Sequence, residues 1–243
     1  MKMKSGCKLQ VGILMLAALA AAPALAQMGG GQGPAELQQK LAALKQSAAA
    51  NKQRLHQYQW VETQQLTLKG EAKPQKSFLC SYGPNGQIQK VPMGEQQAPQ
   101  QSGRQGRLKE RVIEKKTDEM KDYMQQVKSI ISLYVPPNAQ RMEKAFQAHN
   151  VSIVPGGGAT QLVFKNYAQP GDQMTIAFDM AAKKIQTLNV NTYMGEAKDA
   201  ITLAVQFASL PDGTNYAAQT VLNATSKQIQ VTTSNSNYSK LAQ

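Results

Sequence analysis

Residues 173–194 read QMTIAFDMAAKKIQTLNVNTYM, and this stretch decides the fold. Apolar and polar residues alternate along it, the pattern breaks at the short turn 181–184, and the alternation then resumes. A side-chain period of two indicates strands, and two strands joined by a short turn pair antiparallel. The same pattern extends from Val151 to about residue 233. This half of the chain is therefore predicted to be an antiparallel meander.

Two central strands of the meander each have one strongly apolar face. In the first strand, the residues on that face are Met174, Ile176, Phe178 and Met180. In the second strand, they are Ile201, Leu203, Val205 and Phe207. The positions between them are mostly polar and suit water, and a sheet with one apolar face needs a cover.

Three segments with helical spacing can supply that cover, at residues 35–55, 108–134 and 138–148. Their apolar residues recur at steps of three and four, which places them on one stripe of each helix. A further strand is expected at 58–68, and Gly83-Pro84-Asn85-Gly86 indicates a hairpin. We predict an α+β fold in which a curved antiparallel sheet of eight or more strands, an incomplete barrel, is covered by about three helices.

Residues 1–26 have the three parts of a bacterial-type secretory signal. Lysines open the segment, an apolar run follows at 11–22, and Ala24-Leu25-Ala26 supplies a signal-peptidase site. The apolar run has about a dozen residues, whereas a bilayer span needs roughly 20, so a permanent anchor is not expected. We predict cleavage before Gln27 and an exported, periplasmic protein. The alternative is a buried N-terminal helix.

Composition divides the rest of the chain into four parts. Gly and Gln at 27–34 predict a flexible leader, and 35–233 forms one α+β domain. Within that domain, 94–106 is rich in Gln, Gly, Pro and Ser and predicts a flexible loop. Residues 234–243 are expected to be a C-terminal tail.

The chain is basic, with a formal net charge of +12 that falls to +9 without the three signal lysines. Such a charge favours an anionic envelope component, such as phospholipid head groups or lipopolysaccharide. The export signal argues against nucleic acid. The alternative is a basic protein with no specific anionic partner.

No motif in the sequence points to catalysis, to a metal or to a cofactor. His56 and His149 have no Cys, Asp or Glu at metal-ligand spacing, and no hydrolase signature occurs in a supporting context. We therefore predict no catalytic residues, no metal and no cofactor, although paired carboxylates stay open. Cys80, the one cysteine after the signal, is predicted to be a small core residue.

The apolar face is unusually rich in methionine and aromatic residues, which suit either a cavity for acyl chains or ordinary packing. Curved sheets that close incompletely often leave room for a ligand. The candidate lining residues are Trp60, Met174, Ile176, Phe178, Met180, Leu203, Val205 and Phe207.

The order of elements over most of 35–233, and locally the strand–turn–strand at 176–185, resembles the periplasmic lipoprotein-carrier group (LolA/LolB-like). The resemblance implies a bent sheet, a helical lid and an apolar ligand. The leading hypothesis is a non-enzymatic periplasmic protein that binds a lipid, an acylated protein or another amphiphile in an apolar cavity. The alternatives are a cell-envelope structural or interaction module with a filled core, and an enzyme.

Overall fold

A computed structural model describes most of the chain after the predicted leader. The described residues are 34–94, 107–156 and 159–241. The predicted signal peptide at 1–26, nearly all of the leader at 27–34 and nearly all of the loop at 94–106 lie outside them.

The three predicted helices form. In the described residues they are α1 (Pro34–Leu55), α2 (Arg107–Ile131) and α3 (Ala139–Gln147). The start of α3 is fixed by Asn138, whose side-chain oxygen accepts hydrogen bonds from the backbone of Gln140 and Arg141. None of the described helices is long and apolar enough to cross a membrane.

All strand pairs in the described residues are antiparallel. The eleven strands are β1 (Tyr58–Leu68), β2 (Glu71–Ala72), β3 (Lys76–Tyr82), β4 (Ile88–Met93), β5 (Val151–Gly156), β6 (Ala159–Lys165), β7 (Gln173–Asp179), β8 (Lys184–Met194), β9 (Glu196–Ser209), β10 (Asn215–Ala224) and β11 (Ile229–Lys240). They form one sheet that does not close, in the order β4-β3-β1-β11-β10-β9-β8-β7-β6-β5, with the short β2 beside β1. The predicted α+β fold with a curved, open antiparallel sheet is confirmed.

Strand β11 corrects the predicted C-terminal boundary. It continues to Lys240, so the segment from Ser234 to Lys240 is strand and not tail. The physical reason is that β11 pairs with β1 along its length, from Leu68↔Ile229 to Tyr58↔Lys240. This long-range pairing makes a strand of a segment whose own sequence is merely polar.

The apolar faces of the strands and helices meet in two clusters. The larger one joins Leu41 and Leu44 of α1 and Met142 and Ala145 of α3 to the meander strands β6–β9. The smaller one places Tyr123 and Val127 of α2 against the sheet residues Ile201, Ala224 and Ile229. Ala48 stands four residues after Leu44, so helical spacing predicts it on the same apolar stripe of α1, but it is exposed.

Candidate functional site

Seven of the eight predicted lining residues meet on the helix-facing side of the sheet. We call them the covered patch: Met174, Ile176, Phe178, Met180, Leu203, Val205 and Phe207. Met180 and Phe207 are partly buried, and the other five are at most 4% exposed. Because Leu41, Leu44 and Met142 pack on the same cluster, α1 and α3 cover this patch in the structure.

Trp60, the eighth residue, lies outside both apolar clusters and in a group of rings. We call this group the aromatic patch: His56, Tyr58, Trp60, Tyr82, Tyr216 and Tyr238. Trp60 stacks on Tyr238 with ring centres 5.5 Å apart, and it lies 5.4 Å from Tyr82. His56 stacks on Tyr82 at 4.4 Å.

The aromatic patch shares the helix-facing side of the sheet with the covered patch. Even-numbered residues of β1 share one face, so Trp60 points the same way as Leu68, which packs against the α2 cluster. Around this part of the sheet, Leu66 is 37% exposed and Ile88 is 47% exposed. Tyr58 and Trp60 are themselves only 6% and 4% exposed, whereas the other four rings are half-buried, so the aromatic patch is open at its margin and closed over Trp60.

A buried charge lies beside the aromatic patch. Glu62 is buried, and its carboxylate accepts hydrogen bonds from Lys90 and from Gln64 Nε2. Cys80, one strand away, is fully buried, as predicted, and burial raises the pKa of its thiol, with the Glu62 charge adding to the rise. The thiol is therefore held in its neutral form at neutral pH.

Tyr82 and Tyr238 of the patch also stay neutral. Burial raises the pKa of Tyr82, and it raises the pKa of Tyr238 further because neighbouring ionisable groups add to the effect. At neutral pH these rings present uncharged, mainly apolar surface. Positive charge lies at the edge, where Lys240 is 5.9 Å from the centre of the Tyr58 ring.

A buried polar network ties the helices to the sheet, and we call it the polar anchor. Asp172, 3% exposed, accepts hydrogen bonds from the backbone N–H groups of residues 167, 168 and 169 at 2.5–2.9 Å. Its carboxylate also accepts a bond from the Tyr134 hydroxyl at 2.5 Å. Thr192 of β8 joins Tyr134 at 2.8 Å. Since Tyr134 follows α2, the anchor fixes the α2–α3 connection to the turn between β6 and β7.

Two surface pockets are lined by residues other than the predicted ones. One, with a volume of about 470 Å³, lies between Pro170 and Tyr193. The other, about 510 Å³, contains Arg141 and Lys144 of α3, and we call it the basic pocket. The predicted lining residues are not among the residues that form either pocket.

The histidines do not form a metal site in the described residues, where no group of three or more His, Cys, Asp or Glu could hold an ion. His56 stacks on Tyr82, and His149 follows α3 at a positive φ of 56°.

No protein-family model and no curated protein matches the chain. A DUF1329 family protein from Desulfovibrio piger is 8% identical, at a TM-score of 0.41, with 84% of this chain and 92% of that chain covered. A Vibrio parahaemolyticus domain, provisionally named an outer membrane lipoprotein-sorting protein, is 7% identical at a TM-score of 0.38, with 84% and 93% covered. At these TM-scores neither likeness identifies a family or a function.

Sequence reasoning did not identify the polar anchor or the basic pocket. Gln169-Pro170-Gly171-Asp172 has the composition of a turn between two strands, and an Asp that ends such a turn commonly accepts backbone hydrogen bonds. Arg141 and Lys144 stand three apart in a helix, a spacing that places both on one side. The spacing could have indicated the two cations, but the opposite wall of the pocket comes from Asn150, before β5, and from Asn166 and Tyr167, after β6.

Proposed function

We propose that the protein binds an amphiphile, such as a lipid or an acylated protein, between the helices and the sheet. The supporting observation is the combination on one sheet face of a covered patch of Met, Phe and aliphatic side chains and an aromatic patch whose outer rings are half-buried. An acyl chain that enters beside Trp60 would meet apolar surface along its path. Burial of that chain would contribute roughly 25 cal/mol per Å² of apolar area removed from water.

Access requires movement of the cover, because Met174, Ile176 and Phe178 are fully buried in the structure. Helix α1 is held near its end by two bonds between Asn51 and the backbone of Asn215, both 2.7 Å. Helices α2 and α3 are held by the polar anchor. Further bonds hold the cover, from Ser47 of α1 to the Lys183 carbonyl and from Tyr123 of α2 to Asp199 and Ser226, so entry of a chain requires these contacts to part while the sheet keeps its pairing.

The test uses Trp60, the only tryptophan of the chain, as the reporter. Palmitate is added to purified protein, and a saturable change in Trp60 emission is expected. Met180→Gln keeps the volume but adds a polar group to the covered patch, so about tenfold weaker binding is expected. Gln206→Met, on the opposite face of the sheet, is the matched control and should bind as the wild type does.

Two results would reject the proposal. One is a Trp60 spectrum that palmitate leaves unchanged, together with no lipid in an organic extract of the purified protein. The other is equal palmitate affinity for Met180→Gln and Gln206→Met, since the chain would then contact some other surface.

A second candidate function, an envelope interaction module with a filled core, has its own supporting observation. Strand β4 is an edge strand, and its Val91 and Met93 are 61% and 48% exposed on the side away from the helices. Exposed apolar side chains at a sheet edge favour contact with another protein. The variant Val91→Ser/Met93→Ser should lose partner capture and keep palmitate binding. Retained capture would argue against this candidate.

A further inference from the structure

We propose that the basic pocket binds a phosphate ester, through Arg141 and Lys144. The experiment below distinguishes two sources of such an ester. One is a phospholipid head group, and for this source the proposal rests on the proposed function. The other is a small soluble phosphate ester. The polar residues that carry the argument are Asn138, Arg141, Lys144, Asn150, Asn166 and Tyr167.

Charge is the first argument for an anion. Arg141 and Lys144 stand one helical turn apart on α3, so both reach the same side of the helix. Among the described residues, no ion pair involves either of them. The nearest acid on the helix, Glu143, binds Lys45 of α1 at 2.8 Å and is thereby neutralised. No described residue that lines the pocket is acidic.

The second argument is the set of donors opposite the cations. Asn166 accepts a hydrogen bond from the backbone of Gly171 through Oδ1 at 2.7 Å, which leaves its Nδ2 as a donor. The backbone of Asn150 is bound to Ala145 and to Lys165, which fixes the residue at the pocket wall. Tyr167 holds the start of α3 through its hydroxyl, which accepts a bond from the Asn138 N–H at 2.7 Å.

One part of the pocket wall is fixed, because Tyr167 is only 5% exposed and its hydroxyl is bound to the start of α3. Arg141 and Tyr167 line the same pocket. A guanidinium supplies a planar fork of donors and an ammonium a compact charge, and together with carboxamides they match the several oxygens of a phosphate ester.

The pocket also lies close to the covered patch. Ala145 lines the pocket and belongs to the apolar cluster that contains the patch, as does Met142 on the same helix. A phosphate bound by α3 would therefore sit at the margin of the surface proposed for an acyl chain. The volume of the basic pocket, about 510 Å³, is larger than a phosphate needs, so the ester's polar group also has room.

The experiment measures two ligands with two variants of the full chain. One ligand is glycerol 3-phosphate, followed by calorimetry. The other is phosphatidylglycerol in phosphatidylcholine vesicles, followed by sedimentation. Arg141→Gln/Lys144→Gln removes the two pocket charges. Lys121→Gln/Lys198→Gln removes two exposed charges elsewhere and controls for the general basicity of the chain.

The expected result is that the pocket variant binds one of the two ligands at least about tenfold more weakly, with the control within about twofold of the wild type. A loss with glycerol 3-phosphate assigns the site to soluble phosphate esters, and a loss with vesicles alone assigns it to a head group. The proposal is overturned if neither ligand binds, or if both variants weaken binding equally. If the pocket variant still binds palmitate, a failure of the phosphate proposal leaves the proposed function standing.

Discussion

The covered patch and the aromatic patch lie on the same face of one sheet, yet they differ in almost every property. The covered patch combines Met, Phe and aliphatic side chains and sits under α1 and α3. The aromatic patch consists mainly of half-buried rings, with the Glu62–Lys90 pair beside it. The alternation of side chains assigns both sets of residues to the same face. What differs is what packs above them: helices lie over the covered patch, whereas Trp60, 4% exposed, is buried against neighbouring rings.

The largest effect is expected from removing a large side chain at the centre of the covered region. Phe164 is fully buried and belongs to the same cluster as the covered patch. Phe164→Ala should lower the free energy of unfolding by about 3–5 kcal/mol, because it removes apolar burial and leaves a cavity. Val91→Ala, at a site 61% exposed, should cost less than about 0.5 kcal/mol. Urea unfolding followed by circular dichroism provides the measurement. Equal losses of unfolding free energy in the two variants would contradict this prediction.

The polar anchor holds the cover over that region, and a single hydroxyl tests it. Tyr134→Phe leaves Asp172 without its side-chain donor and removes the bond to Thr192, whose Oγ1 still accepts a hydrogen bond from Gln169 Nε2. We expect a loss of about 1–3 kcal/mol in unfolding free energy. Tyr193→Phe removes an exposed hydroxyl bond to the Pro170 carbonyl and should cost less than about 1 kcal/mol. If the two variants are equally stable, the anchor does not hold the cover.

A substitution in the aromatic patch should change the fluorescence of Trp60 more than the stability of the protein. Tyr238→Ala removes the ring stacked on Trp60, with a stacking contribution of about 0.5–1.5 kcal/mol beyond the lost burial. Trp60 emission should shift to longer wavelength as water reaches the indole. Ser239→Ala, at the exposed neighbouring position, should leave the spectrum unchanged. An unshifted spectrum in Tyr238→Ala would mean that other groups shield Trp60.

The smallest effect is expected at acid pH, and it comes from the hydrogen bond between Tyr58 of the aromatic patch and Asp212. The hydrogen bond from Tyr58, with help from the Thr214 backbone N–H, lowers the pKa of Asp212 to about 2. A pKa lowered by folding stabilises the native state above the unfolded pKa of about 3.9, and this contribution is lost as the pH falls towards 2. Asp212→Asn should therefore flatten the decrease in melting temperature between pH 4 and pH 2. A decrease as steep as that of the wild type would show that other carboxylates dominate.

The covered patch shows what alternation alone can predict. Met174, Ile176 and Phe178 were assigned to one buried face from their spacing, and the structure buries all three. The same reasoning grouped Trp60 with them, because strand period gives the face of a residue but not its neighbours across the sheet. The position of β1 beside β11 and β3, away from β7, placed Trp60 among tyrosines instead.

By itself the sequence determined the α+β class, the antiparallel meander and three amphipathic helices, because these follow from local periodicity and turn chemistry. Only the tertiary structure decided that residues 234–240 form strand, that Asp172 receives four hydrogen bonds and that Arg141 and Lys144 face a pocket. Each of these depends on contacts between segments that are distant in the chain. Periodicity carries no record of such contacts, since it reports which side of an element is apolar and not what that side meets.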